Sequence, residues 1–178
     1  MNNPQLRVLI SDIEIQRRVS EIGAQITKDY KDGDLILVGI LKGAFIFVAD
    51  LARAIHRPVH MDFIGISSYG KGKTTSGEVK VTKDLDTSIE GANIIIVEDI
   101  VDTGVTLSYL IGLLHNRKPR SIRIAALLDK PDRRLRPVQV GYTGFTIPDE
   151  FVVGYGLDFA EDYRGLKDIC VLSEGEPA

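Results

Sequence analysis

Two kinds of apolar pattern alternate along the chain. The first is a short unbroken run, seen at 35–40 and 94–97, too short to cross a membrane and suited to a parallel strand buried on both faces. The second is a recurrence every three or four positions. It appears in Ile15, Val19, Ile22 and Ile26, again in Ala44, Val48, Leu51 and Ile55, and again in Leu107, Leu110, Ile111 and Leu114, predicting three helices. Ser11 and Glu14 have capping-box spacing at the start of the first helix, and Asp32-Gly33 stops it. Segments 6–10, 59–66 and 121–128 read as further strands, and 78–82 alternates like one. Strands interleaved with helices predict an α/β fold, a mostly parallel twisted sheet flanked by helices. Beyond Val138 the pattern breaks into short strands at 138–142 and 144–148 and a glycine-punctuated run at 151–158.

Composition narrows the picture. With 178 residues, 44% hydrophobic and 26% charged, the chain has the size and balance of one globular domain. A net charge of −3 gives no electrostatic case for nucleic-acid or membrane binding. The basic run Arg133-Arg134-Leu135-Arg136 reads as a solvated surface or a subunit contact. His56, His60 and His115 lack zinc-ligand spacing, and Cys170, alone in an apolar run, is expected in the core. The first residues lack the charged and apolar regions of a signal peptide, so the cytoplasm is the expected location.

The chemistry gathers where strands meet helices. Glu98 and Asp99 follow the 94–97 run without a neighbouring cation, and a paired carboxylate at a buried strand end calls for a ligand, a metal or water. With Asp102, Thr103, Gly104, Val105 and Thr106 they are read as a strand-to-helix turn at the carboxyl edge of the sheet. That loop offers backbone N–H groups at a helix start, two hydroxyls and a glycine, which together make a phosphate-binding device. Leu41-Lys42-Gly43 forms a second turn on that edge, and Lys130 stands just past the end of another strand. The small and polar segment 67–77 reads as a mobile lid. Its Gly72-Lys73-Thr74 ending approaches a Walker A loop, but Ser67 replaces the first glycine and a strand pattern follows in place of a helix.

These motifs resemble the type I phosphoribosyltransferases, and within them the hypoxanthine-guanine group, in the family's order from Val8 to Val171. The resemblance implies one domain over 1–178, with a core at about 33–137 and a small hood from about 1–12 and 138–178 over the carboxyl edge. It implies that Glu98 and Asp99 hold the ribose hydroxyls and that Asp102, Thr103, Gly104, Val105 and Thr106 hold the 5′-phosphate. Leu41, Lys42 and Gly43 would face the diphosphate, often through an unusual peptide conformation, and Ser68 and Tyr69 would close over the site. Lys130 would donate to the exocyclic oxygen of a 6-oxopurine, Phe151 would stack on the base and main-chain groups near Val152 would read its edge. Asp158 would organise Mg2+ and diphosphate, with Glu98 and Asp99 as further metal candidates, and Arg164 would bind diphosphate. Asp102 is the candidate general base. Gly156 stands where animal relatives often carry a larger residue, which implies a looser base pocket.

The implied reaction joins hypoxanthine or guanine to phosphoribosyl diphosphate, giving the nucleoside monophosphate and diphosphate in purine salvage. A homodimer or homotetramer is the implied assembly. Two alternatives stay open: transfer to xanthine or a pyrimidine, and a nucleotide-sensing regulator on the same fold.

Overall fold

The computed structural model describes residues 5–68 and 79–173. Six strands form one sheet in the order β4-β3-β2-β5-β6-β7. They are β2 (Leu35–Leu41), β3 (His60–Ser68), β4 (Val79–Lys83), β5 (Asn93–Val101), β6 (Ser121–Asp129) and β7 (Tyr142–Thr146). All neighbouring pairs are parallel except β3 with β4. The sheet is therefore mostly parallel, as its sequence pattern predicts.

Unbroken apolar strands arise because both faces of this sheet are covered. Leu35, Leu37, Ile95, Val97, Ala125 and Leu127 point toward α1 (Asp12–Asp29) and α2 (Phe45–Ala54). Their neighbours Ile36, Val38, Ile94, Ile96, Ile124 and Ala126 point toward α3 (Val105–His115). The period of two splits each strand between two cores. Ile15, Val19, Ile22 and Ile26 form the buried stripe of α1, and the Ser11–Glu14 capping box is complete, closing the first turn.

A second sheet of three antiparallel strands, β1 (Gln5–Ile10), β9 (Ile169–Ser173) and β8 (Val152–Val153), brings the two ends of the described chain together. Cys170 lies buried within β9. This hood is tied to the main body by the Asp12 amide donating to Asp168 at 2.7 Å and by the Tyr155 hydroxyl donating to Asp50 at 2.6 Å.

Two expectations are corrected. β5 does not stop at Val97 but pairs with β6 through Val101↔Asp129, so Glu98 and Asp99 belong to the strand and not to the following turn. Main-chain hydrogen bonding does not depend on the side chain, so a polar pair can sit in a strand wherever its neighbour continues. The two strands expected at 138–142 and 144–148 are one strand, β7, which joins the main sheet and not the hood. Its place is set by Tyr142, which is buried and donates to Asp29 while accepting from Arg123, and by Arg18, which donates to the carbonyls of Thr143 and Gly144.

Candidate active site

Because β2, β5 and β6 run parallel, the turns that follow them meet at one edge of the sheet. Alternation along β5 sends its two acids to opposite faces. Asp99 shares the face of Ile95 and Val97 and packs on the backbone of the 41–43 turn, where a Cβ on Gly43 would stand 1.6 Å from Asp99 Oδ2. Glu98 shares the face of Ile94 and Ile96 and lines a small cavity of about 90 Å³ with Thr103, Gly104 and Thr106.

That cavity opens on the start of α3. Gly104 is the N-cap in a left-handed conformation, φ 78°, and its helix start has no side-chain cap. Thr103 Oγ1 reaches the Val105 amide only at 3.4 Å. The first-turn N–H groups, at the positive end of the helix, make a setting that suits an anion. The carbonyl of Thr103 accepts from the amides of Leu135 and Arg136 at 2.9 and 3.0 Å, which anchors the loop from behind.

On the other side of β5 a cavity of about 220 Å³ is lined by Asp99, Asp102, Lys130, Phe151, Val152 and Asp158, among others. Asp102 lines both cavities. Lys130 is 8% exposed, an unusual burial for a lysine, and donates to the Glu150 carbonyl at 2.7 Å. Phe151 is half exposed and is braced edge-on by Phe159, with ring centroids 5.7 Å apart. Asp158 pairs with Arg164 at 2.9 Å, and Arg164 also donates to the Gly156 carbonyl. The Leu41–Lys42 peptide is cis, and Lys42 Nζ lies 2.9 Å from Glu161, which Arg164 also approaches at 3.4 Å.

The electrostatics of the acids follow from burial. Burial, and secondarily the charge of Asp99, push the Glu98 carboxyl well above the usual range, and its Oε2 is sealed from solvent with no hydrogen-bond partner among the described residues. Asp99 is pushed up to about 6 by burial, against a hydrogen bond from the Ile100 amide and the attraction of Arg164, and Asp158 adds to the rise. Buried acids that repel one another are relieved by a cation. Among the described residues no three His, Cys, Asp or Glu groups converge as a metal cage. Mg2+ needs no such cage: it takes one or two carboxylates beside substrate phosphates and keeps several waters. Asp99 and Asp158, facing one cavity, fit that use, while Glu98 faces the other cavity.

The structure therefore brings Asp99, Asp102, Lys130, Phe151, Val152 and Asp158 together around one cavity, with Glu98, Thr103, Gly104 and Thr106 around the adjoining one. Of the segment 67–77 expected as a lid, Ser67 and Ser68 end β3, and Tyr69 with the rest lies outside the described residues. Gly156, expected to widen the base pocket, lies instead against the 41–43 turn: a Cβ there would stand 2.1 Å from the Gly43 carbonyl oxygen. Arg133, Leu135 and Arg136 of the basic run are exposed, as expected of a solvated surface, but two of its charges are also paired. Arg133 binds Asp102 and Asp149, and Arg134 pairs with Asp129 and donates to the Asp102 carbonyl. Sequence gives only their charge as a signal, because their partners lie on β6, the loop before α3 and the segment before β8. A larger cavity of about 530 Å³, between α3 and β6, contains none of the predicted site residues.

A helix start without a side-chain cap beside a buried acidic strand end, at the carboxyl edge of a mostly parallel sheet, is an arrangement suited to binding an anionic ligand such as a phosphate. The chain belongs to the phosphoribosyl transferase domain family, whose model matches residues 11–160. It is 53% identical to the hypoxanthine-guanine phosphoribosyltransferase of Bacillus subtilis, over 93% of this chain and 92% of that protein. It is 48% identical, over 97% of its length, to the bifunctional protein TilS/HprT of Listeria innocua, of which it covers 26%. Among solved structures, a hypoxanthine-guanine phosphoribosyltransferase from Bacillus anthracis superposes with a TM-score of 0.91 at 44% identity, covering 95% of this chain and all of that one. No helix of the described residues is long and apolar enough to cross a membrane.

Proposed function

We propose that this chain is a 6-oxopurine phosphoribosyltransferase acting on hypoxanthine and guanine with phosphoribosyl diphosphate. The observation that carries the reading is the position of Asp102 between two cavities, one walled by the phosphate loop and the other by Lys130 and Phe151. A 5′-phosphate in the first and a purine in the second would place the anomeric carbon beside β5. Glu98 and Asp99, one on each face of that strand, would accept from the ribose hydroxyls.

Transfer breaks the bond between the anomeric carbon and diphosphate and forms one to a purine nitrogen, through a transition state with oxocarbenium character. The chain's part is to hold both partners in line and to meet the charge on the departing group. Lys42 and Arg164, now paired with Glu161, would exchange that carboxylate for diphosphate. Lys130 would donate to the exocyclic oxygen, Phe151 would cover the ring, and Asp102 would take or orient the imidazole proton. Asp99 and Asp158 would hold Mg2+, which would supply charge neutralisation for the leaving group.

Incubation with phosphoribosyl diphosphate, magnesium and hypoxanthine is expected to yield inosine monophosphate, and excess chelator to stop it. Unchanged turnover under chelation would remove the metal from the reading. A homodimer or homotetramer in the cytoplasm is the setting this family resemblance supports, and sedimentation of the purified chain tests the assembly.

A further inference from the structure

Asp102 is held from one side only. Arg133 Nε donates to its Oδ1 at 2.6 Å, and among the described residues no hydrogen bond or ion pair reaches its Oδ2. The same guanidinium reaches Asp149 Oδ2 through Nη1 at 3.0 Å, and Asp149 Oδ1 lies 3.4 Å from Lys130 Nζ. The four side chains form a continuous row: Lys130, Asp149, Arg133, Asp102. Its two ends line the cavity assigned to the purine, and its two middle members do not.

The row is braced by main chain. The Arg133 amide donates to the Lys130 carbonyl at 3.2 Å, and the next residues of the run, Leu135 and Arg136, donate to Thr103 in the phosphate loop. Arg133 thus comes from a turn, Pro131–Arg133, fixed at one end to the base-recognition strand and at the other to the loop that carries Asp102. A guanidinium presents its donors in a rigid planar fork, so an arginine gripping two carboxylates at once fixes the angle of each. An ion pair this exposed adds little to stability; orientation is what it supplies.

We propose that Arg133, seated by Asp149, is a positioning residue for Asp102. It holds Oδ1 and leaves Oδ2 as the oxygen that meets the purine imidazole N–H. Through Asp149 the same row sets the distance between Lys130, at the exocyclic oxygen, and Asp102, at the imidazole nitrogen. The inference rests on the transferase reading above and adds a second layer to it: Arg133 and Asp149 tune the reaction without touching a substrate.

The test is kinetic. Arg133→Met is expected to lower kcat about tenfold or more, as slight misplacement of a reacting group does, with KM for phosphoribosyl diphosphate within about twofold of the native value. Arg133→Lys, which keeps the charge but not the fork, is expected to recover only part of the loss. In an Asp102→Asn background Arg133→Met is expected to have no further effect, since the residue it acts through is already lost. Guanidinium ion added to Arg133→Ala is expected to raise its kcat, and not to raise that of Asp102→Asn. Equal losses from Arg133→Met in the two backgrounds would overturn the inference, as would a loss carried by KM for phosphoribosyl diphosphate, a kcat within about twofold of native, or full recovery in Arg133→Lys. If Arg133→Met lowers the melting temperature so far that it cannot be assayed, Asp149→Asn takes its place under the same criteria. No turnover by the native chain would overturn the transferase reading and this inference together; native turnover with an indifferent Arg133 overturns the inference alone.

Discussion

The carboxylate of Asp99 lies directly on the α-carbon of Gly43, so that any side chain at position 43 would begin 1.6 Å from Asp99 Oδ2. The turn carrying Lys42 and the strand carrying the acidic pair are therefore built in contact. Gly43→Ala forces one of them to move, and the carboxylate is the part that can. Activity is expected to fall on the order of a hundredfold through displacement of the groups proposed to meet diphosphate and ribose. Steady-state kinetics with varied phosphoribosyl diphosphate, beside a melting curve, separates this from general unfolding.

Keeping Asp99 buried costs stability when no ligand is present. Its carboxyl is held at about 6 by burial, above the value it has in an unfolded chain. A group raised in the folded state favours folding below its unfolded value, and that advantage is lost as pH rises through the folded one. The ligand-free and metal-free protein is therefore expected to lose stability between pH 4 and about 6 on this account. Asp99→Asn is expected to flatten that slope and to gain about 1–3 kcal/mol at pH 7, while weakening phosphoribosyl diphosphate binding. Denaturant titrations across this pH range check the first part, and calorimetric titration the second.

The sheet was legible in the sequence because burial on both faces leaves an unbroken apolar run, and α1 was legible because its stripe and its cap agree. The end of β5 was not. Apolar residues stop at Val97, yet pairing with β6 carries the strand four residues further, and this separates Glu98 from Asp99 by a full face. Gly156 was read against a base pocket although its neighbour is the Gly43 carbonyl, a contact between positions far apart in the chain. The role of Arg133 was hidden for a similar reason: charge is local information, and its partners Asp102 and Asp149 stand 31 and 16 positions away.

Lys130 is buried with its ammonium on the Glu150 carbonyl beside the Phe151 ring, where a 6-oxo group can accept from it. Lys130→Met is expected to reduce kcat/KM for hypoxanthine on the order of a hundredfold or more, because a site built for a hydrogen bond loses most when that bond is removed. Adenine, without the oxygen, should remain an equally poor substrate for both forms. Competition between the two bases in one assay reads the difference directly.

The Ser11–Glu14 box closes the start of α1 immediately after the hood strand β1. Ser11→Ala is expected to cost about 1 kcal/mol of stability and to leave turnover at room temperature unchanged. Thermal and denaturant unfolding, read beside the activity, tests whether the cap serves the fold alone.

The proposed reaction is transfer of a phosphoribosyl group to a 6-oxopurine. It is tested most directly by supplying phosphoribosyl diphosphate and magnesium with hypoxanthine, guanine, xanthine, adenine or uracil in separate reactions, with Asp102→Ala as the control. Inosine and guanosine monophosphates are expected from the first two bases, both strongly reduced in the variant. Binding of phosphoribosyl diphosphate without product from any base would contradict the proposed transfer and favour a nucleotide-sensing regulator on this fold.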